Sequence, residues 1–140
     1  MNNKPLLTTS NREETKNHRF KRNETFKHKC AVQVLASWVN GIIEQPFTYE
    51  GQYIFVPDVT VYRNGVLSCI YEIVASHPLS SKKYGLIQYW CYQNRTDLTV
   101  YEVSADYILS LTEKPDFIQS MECYTVSLFE YEDILINPIN

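Results

Sequence analysis

The chain has 140 residues, of which 44% are hydrophobic, with four glycines and six prolines. This size and composition predict one domain with its own apolar core, and they exclude a fibrous or low-complexity protein. The net charge is −3, and no apolar run approaches the ~20 residues of a membrane-spanning helix, so we expect no membrane association.

The four cysteines are scattered along the chain and form no C-x-x-C pair. The first residues also lack the apolar core of a secretory signal. Because disulfide frameworks are typical of shorter, cysteine-dense secreted chains, we predict reduced thiols. The expected location is therefore intracellular, either cytoplasmic or nuclear.

The charge is unevenly distributed along the sequence. Residues 1–29 hold eight Lys or Arg and three Asp or Glu, whereas residues 30–140 hold five basic and thirteen acidic residues. We predict that residues 1–22 form a basic, disordered arm that could contact phosphates, and that residues 23–140 fold as a single domain. The acidic body argues against non-specific coating of DNA.

The first predicted element is a helix with Asn23 as its N-cap and Gly41 near its end. Its apolar face follows three- and four-residue steps through Phe26, Cys30, Val34, Leu35, Trp38, Val39 and Ile42. A short strand over residues 47–54, turning at Glu50-Gly51, is expected next.

A β-hairpin is predicted after that strand. The segments FVPDVTVY and VLSCIYEIVA are rich in β-branched and aromatic residues, and Asn64-Gly65 between them is a strong two-residue turn signal. Both arms are largely apolar, so we expect both faces of the sheet to be covered.

Pro78 and Ser80 are predicted to open a second helix, SSKKYGLIQYWCYQN, followed by the strand LTVYEV, the short helix ADYILSL and a late strand YTVSLFEY. A helix between two strands permits a crossover connection and a mixed sheet. The fold class is therefore α/β. The second helix also carries an aromatic run, which could stack on bases but at helical spacing is more typical of core and interface: Tyr84, Tyr89, Trp90 and Tyr92.

Two carboxylates carry the predicted chemistry. Asp58 and Glu72 lie at similar distances from the turn at Asn64-Gly65, so they can lie close together across the hairpin. Acids are depleted in strands, and Glu72 interrupts an apolar run, so a metal or another partner is needed. Two carboxylates can bind a hard divalent ion such as Mg²⁺ or Mn²⁺, which activates water and neutralises phosphate charge.

The segment FVPDVTVYRNGVLSCIYEIV resembles the signature of the PD-(D/E)xK, or restriction-endonuclease-like, nuclease superfamily, with Pro57-Asp58 and Glu72-Ile73-Val74 as the matching positions. This resemblance implies an αβββαβ core with a mixed sheet flanked by helices. It also implies a nuclease-like domain in which Asp58, Glu72 and the carbonyl of Ile73 bind the metal.

The sequence ETFKH at residues 24–28 is similar to the Glu-Ser/Thr-x-x-His opening of the first helix in the competence-protein-like branch of this superfamily. Glu24 and His28 are four residues apart and share a helix face. The resemblance implies that Glu24 joins the metal site, directly or through water. The alternative is a surface glutamate beside a histidine and lysines.

The chain departs from the superfamily at Val74, where the motif has a lysine that positions or activates the attacking water. Valine can neither transfer a proton nor supply charge. Lys82 or Lys83 on the following helix could bring an ammonium group into the same space, and His77 could act as an acid or base. The alternatives are a solvated helix end for both lysines and a turn residue before Pro78 for His77.

The sequence favours a metal-dependent nuclease acting on nucleic acid, with DNA as the expected partner. It leaves open whether the chain is an active Mg²⁺-dependent endonuclease or an inactive nuclease-like module that binds nucleic acid or protein. It also leaves open a homodimer. A zinc site is a competing hypothesis, although the spacing matches no common zinc motif; its ligands would be His28, Cys30, Cys69 and His77.

Overall fold

The computed structural model describes the backbone of residues 12–137 and the side chains of residues 25–137. Within this range the helices are α1 (Arg12–Val39), α2 (Ser81–Asn94), α3 (Ala105–Ser110) and α4 (Glu130–Ile136). The strands are β1 (Ile42–Ile43), β2 (Phe47–Tyr49), β3 (Gln52–Phe55), β4 (Val59–Arg63), β5 (Val66–Val74), β6 (Leu98–Ser104) and β7 (Glu122–Val126).

The main sheet has the strand order β1-β4-β5-β6-β7. Strands β5 and β6 are parallel, and the other neighbouring pairs are antiparallel. The predicted α/β class, with a mixed sheet flanked by helices, is confirmed. The order helix, three strands, helix, strand is carried by α1, β1, β4, β5, α2 and β6.

Two strand predictions need correction. The segment predicted as one core strand, residues 47–54, instead forms the hairpin β2–β3, which lies outside the main sheet. The predicted late strand also ends early, at Val126, and its last residues begin α4. In the hairpin, Glu50 and Gly51 both have positive φ angles, so the backbone reverses instead of continuing as one strand.

Helix α1 is already formed at Arg12, the first residue that the structure describes, and so does not begin at the predicted N-cap Asn23. Residues 12–22 contain Glu, Lys and Arg, which favour helices, and no Gly or Pro to stop one. Residues 1–11 of the predicted arm lie outside the described residues. None of the described helices is long and apolar enough to cross a lipid bilayer.

The predicted apolar stripe of α1 agrees with the observed one only in part. Leu35 is fully buried, and Val34, Trp38 and Val39 are partly buried against the same core, whereas Phe26 is 72% exposed. The buried face also includes three residues outside the predicted stripe: Ala31, Val32 and Ala36. Two of these are alanines, whose small side chains allow α1 to approach the sheet closely and contribute little to a stripe of large apolar residues.

The sheet separates two apolar cores. On one face α1 and α3 pack on residues that include Val61, Ile73 and Val103. On the other face α2 and the β2–β3 hairpin pack on residues that include Ile70 and Val100. Successive residues of β5 therefore alternate between the two cores, as the period of a strand requires.

The aromatic run of α2 is used largely in packing. Trp90 contacts Phe47 and Phe55 of the hairpin, with ring centroids 4.8 and 6.4 Å apart, respectively. Tyr89 and Tyr92 both contact Tyr131 of α4. These contacts attach the hairpin and α4 to α2, as expected for core and interface residues.

Thr60 of β4 provides a test of the core. Its side chain is fully buried, and within the described part of the chain its hydroxyl oxygen has no hydrogen-bond partner. Valine has nearly the same shape without the polar atom, so Thr60→Val should raise the free energy of unfolding by about 1 kcal/mol. Urea denaturation measures this change, and a less stable variant would contradict it.

Candidate functional site

Asp58 and Glu72 lie opposite each other at one end of the β4–β5 hairpin. Strand β4 begins directly after Asp58, and the pairing of Val59 with Tyr71 places Asp58 across from Glu72. The hairpin turns through Asn64 and Gly65, whose φ angles of 54° and 79° suit a two-residue turn. This turn sets the register that brings the two carboxylates together.

The carboxylate of Asp58 is held by two donors. Its Oδ2 atom accepts a hydrogen bond of 2.7 Å from the backbone N–H of Ile73 and one of 3.1 Å from His28 Nε2. The pKa of His28 is raised, mainly by this hydrogen bond to Asp58, with burial acting in the opposite direction. Helix α1 therefore contributes a residue that fixes Asp58.

Glu72 is almost fully buried, at 6% exposure. Its Oε1 atom accepts a hydrogen bond of 2.7 Å from Lys83 Nζ, and its Oε2 atom accepts one of 3.2 Å from the backbone N–H of Asp58. Burial, followed by the charge of Asp58, raises the pKa of Glu72 to about 7, whereas Lys83 acts to lower it. The carboxyl group is thus poised to titrate near neutral pH.

The two acids line an open cleft of about 220 Å³. Of the predicted site residues, Asp58, Glu72, Ile73, His77 and Lys83 all line this cleft. Its other lining residues are His28, Val74, Pro78, Leu79 and Ser80.

Lys83, not Lys82, is the lysine that contacts the acids. Helix α2 begins after the N-cap Ser80, whose hydroxyl accepts a hydrogen bond from the backbone N–H of Lys83. The side chain of Lys83 then extends to Glu72, beside Val74 in the cleft wall. Lys82 lines an adjacent cavity instead.

The donor set suits a hard divalent ion. Asp58 and Glu72 offer carboxylate oxygens, and Ile73 offers its backbone carbonyl, which in an extended strand lies on the same side as the N–H that contacts Asp58. Mg²⁺ prefers such oxygen ligands and retains several waters, so it needs no complete cage of side chains.

A metal site could also be formed by side chains alone, without the Ile73 carbonyl. Among the described side chains, no group of three or more His, Cys, Asp and Glu is placed to hold a metal ion. The zinc hypothesis therefore gains no support, and His28 instead contacts Asp58. The side chain of Glu24, the predicted additional ligand, lies outside the described residues.

Two residues near the site were not among its predicted members. His28 was noted only for its spacing from Glu24 and as a zinc candidate, although it lies four residues before the buried Val32 on α1. Glu102 of β6 is the register partner of Glu72, is also buried, and accepts a hydrogen bond of 2.6 Å from the Tyr124 hydroxyl. The sequence feature that could have identified Glu102 was an acidic residue inside the largely apolar strand LTVYEV.

Comparisons with known proteins identify no relative of the chain. The chain matches no protein-family model, no curated protein and no solved structure. The resemblance to the PD-(D/E)xK superfamily therefore rests on the motif residues and stays a prediction.

Proposed function

We propose that the chain is a metal-dependent nuclease that hydrolyses phosphodiester bonds in nucleic acid, with DNA as the preferred substrate. The observation that carries this proposal is the contact of 2.7 Å between Lys83 Nζ and Glu72 Oε1, in a cleft that Asp58 also lines. An ammonium group is therefore present beside the acids even though Val74 occupies the position of the motif lysine.

Each side chain has a defined part in this proposal. His28 and the Ile73 N–H hold Asp58 through Oδ2, and Oδ1 would be the oxygen that binds a ligand. Lys83 has three N–H donors and uses one of them on Glu72. The remaining donors can orient a water molecule or hold a phosphate oxygen.

Asp58, Glu72 and the Ile73 carbonyl would hold Mg²⁺ or Mn²⁺. When bound, such an ion supplies charge for the phosphate and lowers the pKa of water. His77 lines the wall of the cleft and would exchange a proton with a reacting group. The basic residues among 1–29 would contact the phosphate backbone of the nucleic acid.

The test is cleavage of labelled single-stranded and duplex DNA, and of RNA, by the full chain with millimolar Mg²⁺ or Mn²⁺ or with a chelator. We expect DNA cleavage only with metal. Asp58→Asn should be inactive, and Asp116→Asn, which changes an exposed acid on another loop, should remain active. Cleavage that persists in Asp58→Asn or in chelator would refute the proposal.

The alternative is an inactive nuclease-like module that binds nucleic acid or protein. Val74 favours it, because the motif lysine is absent from β5. The same assays separate the two functions. Metal and nucleic acid binding without hydrolysis of any substrate would establish the binding module and exclude the nuclease.

A further inference from the structure

A second cavity, of about 260 Å³, adjoins the cleft. Ser80 and Lys83 line both spaces, so the two are contiguous around the start of α2. The other residues that line the second cavity are Tyr53, Ile54, Phe55, Val56, Lys82 and Leu86. A ligand held in the cleft could therefore extend into this cavity.

The lining of the second cavity is suited to an anionic partner. Lys82 and Lys83 are its charged residues, and no carboxylate is among the lining side chains. Lys83 donates a hydrogen bond to Glu72, whereas Lys82 is not among the residues that line the cleft. Residues 30–140 hold only five basic residues against thirteen acidic ones, and two of the five line this cavity.

Tyr53 supplies an aromatic surface at the same cavity. It lies on β3 and is 66% exposed, although tyrosine is large and partly apolar. The hairpin that carries it is firmly attached, because Phe47 and Phe55 pack on Trp90 and the Trp90 indole N–H donates to the Thr48 carbonyl at 3.0 Å. Tyr53 is therefore an exposed ring on an anchored support.

We propose that this cavity binds an unpaired nucleotide of a nucleic acid strand, with Tyr53 stacking on the base and Lys82 contacting the adjacent phosphate. This inference rests on the proposed function, because it extends the substrate away from the cleft. A base inside a duplex is covered on both faces by its neighbours, so a stacking tyrosine favours single-stranded or unpaired segments. The substrate class is thus nucleic acid with unpaired nucleotides beside the cleaved bond.

The test measures the affinity of the full chain for a labelled single-stranded DNA 12-mer by fluorescence anisotropy, in Ca²⁺ and in a chelator. Removing one stacked base should weaken binding about tenfold, so we expect this loss in Tyr53→Ala and little loss in Tyr53→Phe. Lys82→Gln should reduce the slope of log K against log salt by about 0.7, the value of one phosphate contact on a single strand.

Abasic substitutions make the test specific. Moving one abasic site along the 12-mer should reveal one position at which wild type loses affinity and Tyr53→Ala does not. Phe117→Ala and Lys114→Gln, on an exposed loop between α3 and β7, are matched controls and should leave affinity unchanged. Equal binding by wild type and both cavity variants, or tighter binding of blunt duplex, would overturn the inference.

The two proposals fail in different ways. If the strand binds through Tyr53 and Lys82 but no substrate is cleaved, the nuclease proposal is wrong and the cavity assignment stands. If DNA is cleaved with metal but Tyr53→Ala binds the 12-mer as wild type does, the cavity assignment is wrong and the nuclease proposal stands.

Discussion

Lys83→Met should lower the rate constant for phosphodiester cleavage by about a hundredfold or more, the usual effect of removing a group that positions or activates water. Lys83 is the cation in contact with Glu72, at 2.7 Å. Methionine keeps an unbranched apolar side chain that is one atom shorter than that of lysine, but it removes the charge and all three donors. Single-turnover cleavage with saturating protein measures the chemical step directly.

A second substitution makes this prediction specific. Val74 lines the cleft and lies two residues after Glu72 on β5, so both side chains face the same side of the sheet. In the Lys83→Met background, Val74→Lys should restore at least a tenth of the lost rate, because it supplies an ammonium group from the neighbouring strand. It should also restore an ion pair to the buried Glu72.

Lys82→Met is the matched control for this pair. Lys82 lies outside the cleft, so we expect weaker substrate binding with an unchanged single-turnover rate at saturation. Thermal melting of each variant separates loss of chemistry from loss of folding. A folded Lys83→Met protein that cleaves at the wild-type rate would exclude Lys83 from the reaction, and failure of Val74→Lys to rescue would indicate that the group must come from α2.

The sequence was sufficient to bring Asp58 and Glu72 together because the inference depended on local rules. Asn64-Gly65 fixes a two-residue turn, and strand pairing then sets which residues face each other. The same local rules identified α2, with Ser80 as its N-cap. These features need no information about distant parts of the chain.

The choice between Lys82 and Lys83 required tertiary information. It depends on how α2 is rotated against the sheet, and that rotation is fixed by the burial of Ile87 and Cys91. Lys83 lies four residues before the fully buried Ile87 and shares its face, whereas Lys82 aligns with the more exposed Leu86. Leu86 and Ile87 are both apolar, so the sequence alone could not distinguish the two lysines.

The contact between His28 and Asp58 was also beyond sequence patterns. The two residues are thirty positions apart, and their hydrogen bond depends on α1 packing against the sheet through Ala31, Val32 and Leu35. The short strand β1 was missed for a similar reason. Two residues, Ile42 and Ile43, are too few to produce a periodic pattern, and only pairing with β4 makes them a strand.

Glu72→Gln should make the metal-free protein more stable than wild type at pH 8, with a difference that shrinks toward pH 5. The pKa of Glu72 is raised from 4.5 to about 7 in the folded protein, mainly by burial. The stability that this group contributes is therefore fully present below pH 4.5 and is lost as the pH rises through about 7. The full loss corresponds to about 3 kcal/mol, from 1.36 kcal/mol per pKa unit.

Glutamine has the shape of glutamate without a titrating charge. The free energy of unfolding of Glu72→Gln should therefore lack this dependence on pH. His28 titrates in both proteins, and its hydrogen bond to Asp58, the main cause of its raised pKa, is kept in both, so the comparison uses the difference between them. Urea denaturation in chelator at pH 5, 6, 7 and 8 measures it. A difference that is constant with pH, or that grows toward pH 5, would show that Glu72 is not buried as a carboxylate beside Asp58.

Millimolar Mn²⁺ should reverse the order of the two proteins at pH 8. A cation held by Asp58 and Glu72 would relieve the repulsion of the two carboxylates and, by binding only the native state, would raise the melting temperature of wild type. Glu72→Gln loses half of the charge that attracts the ion, so it should gain little. Glu102→Gln, which changes the neighbouring buried acid outside the cleft, should respond to Mn²⁺ as wild type does. Equal increases in melting temperature with Mn²⁺ for wild type and Glu72→Gln would show that Glu72 is not a metal ligand. The nuclease proposal would then lack its central ligand.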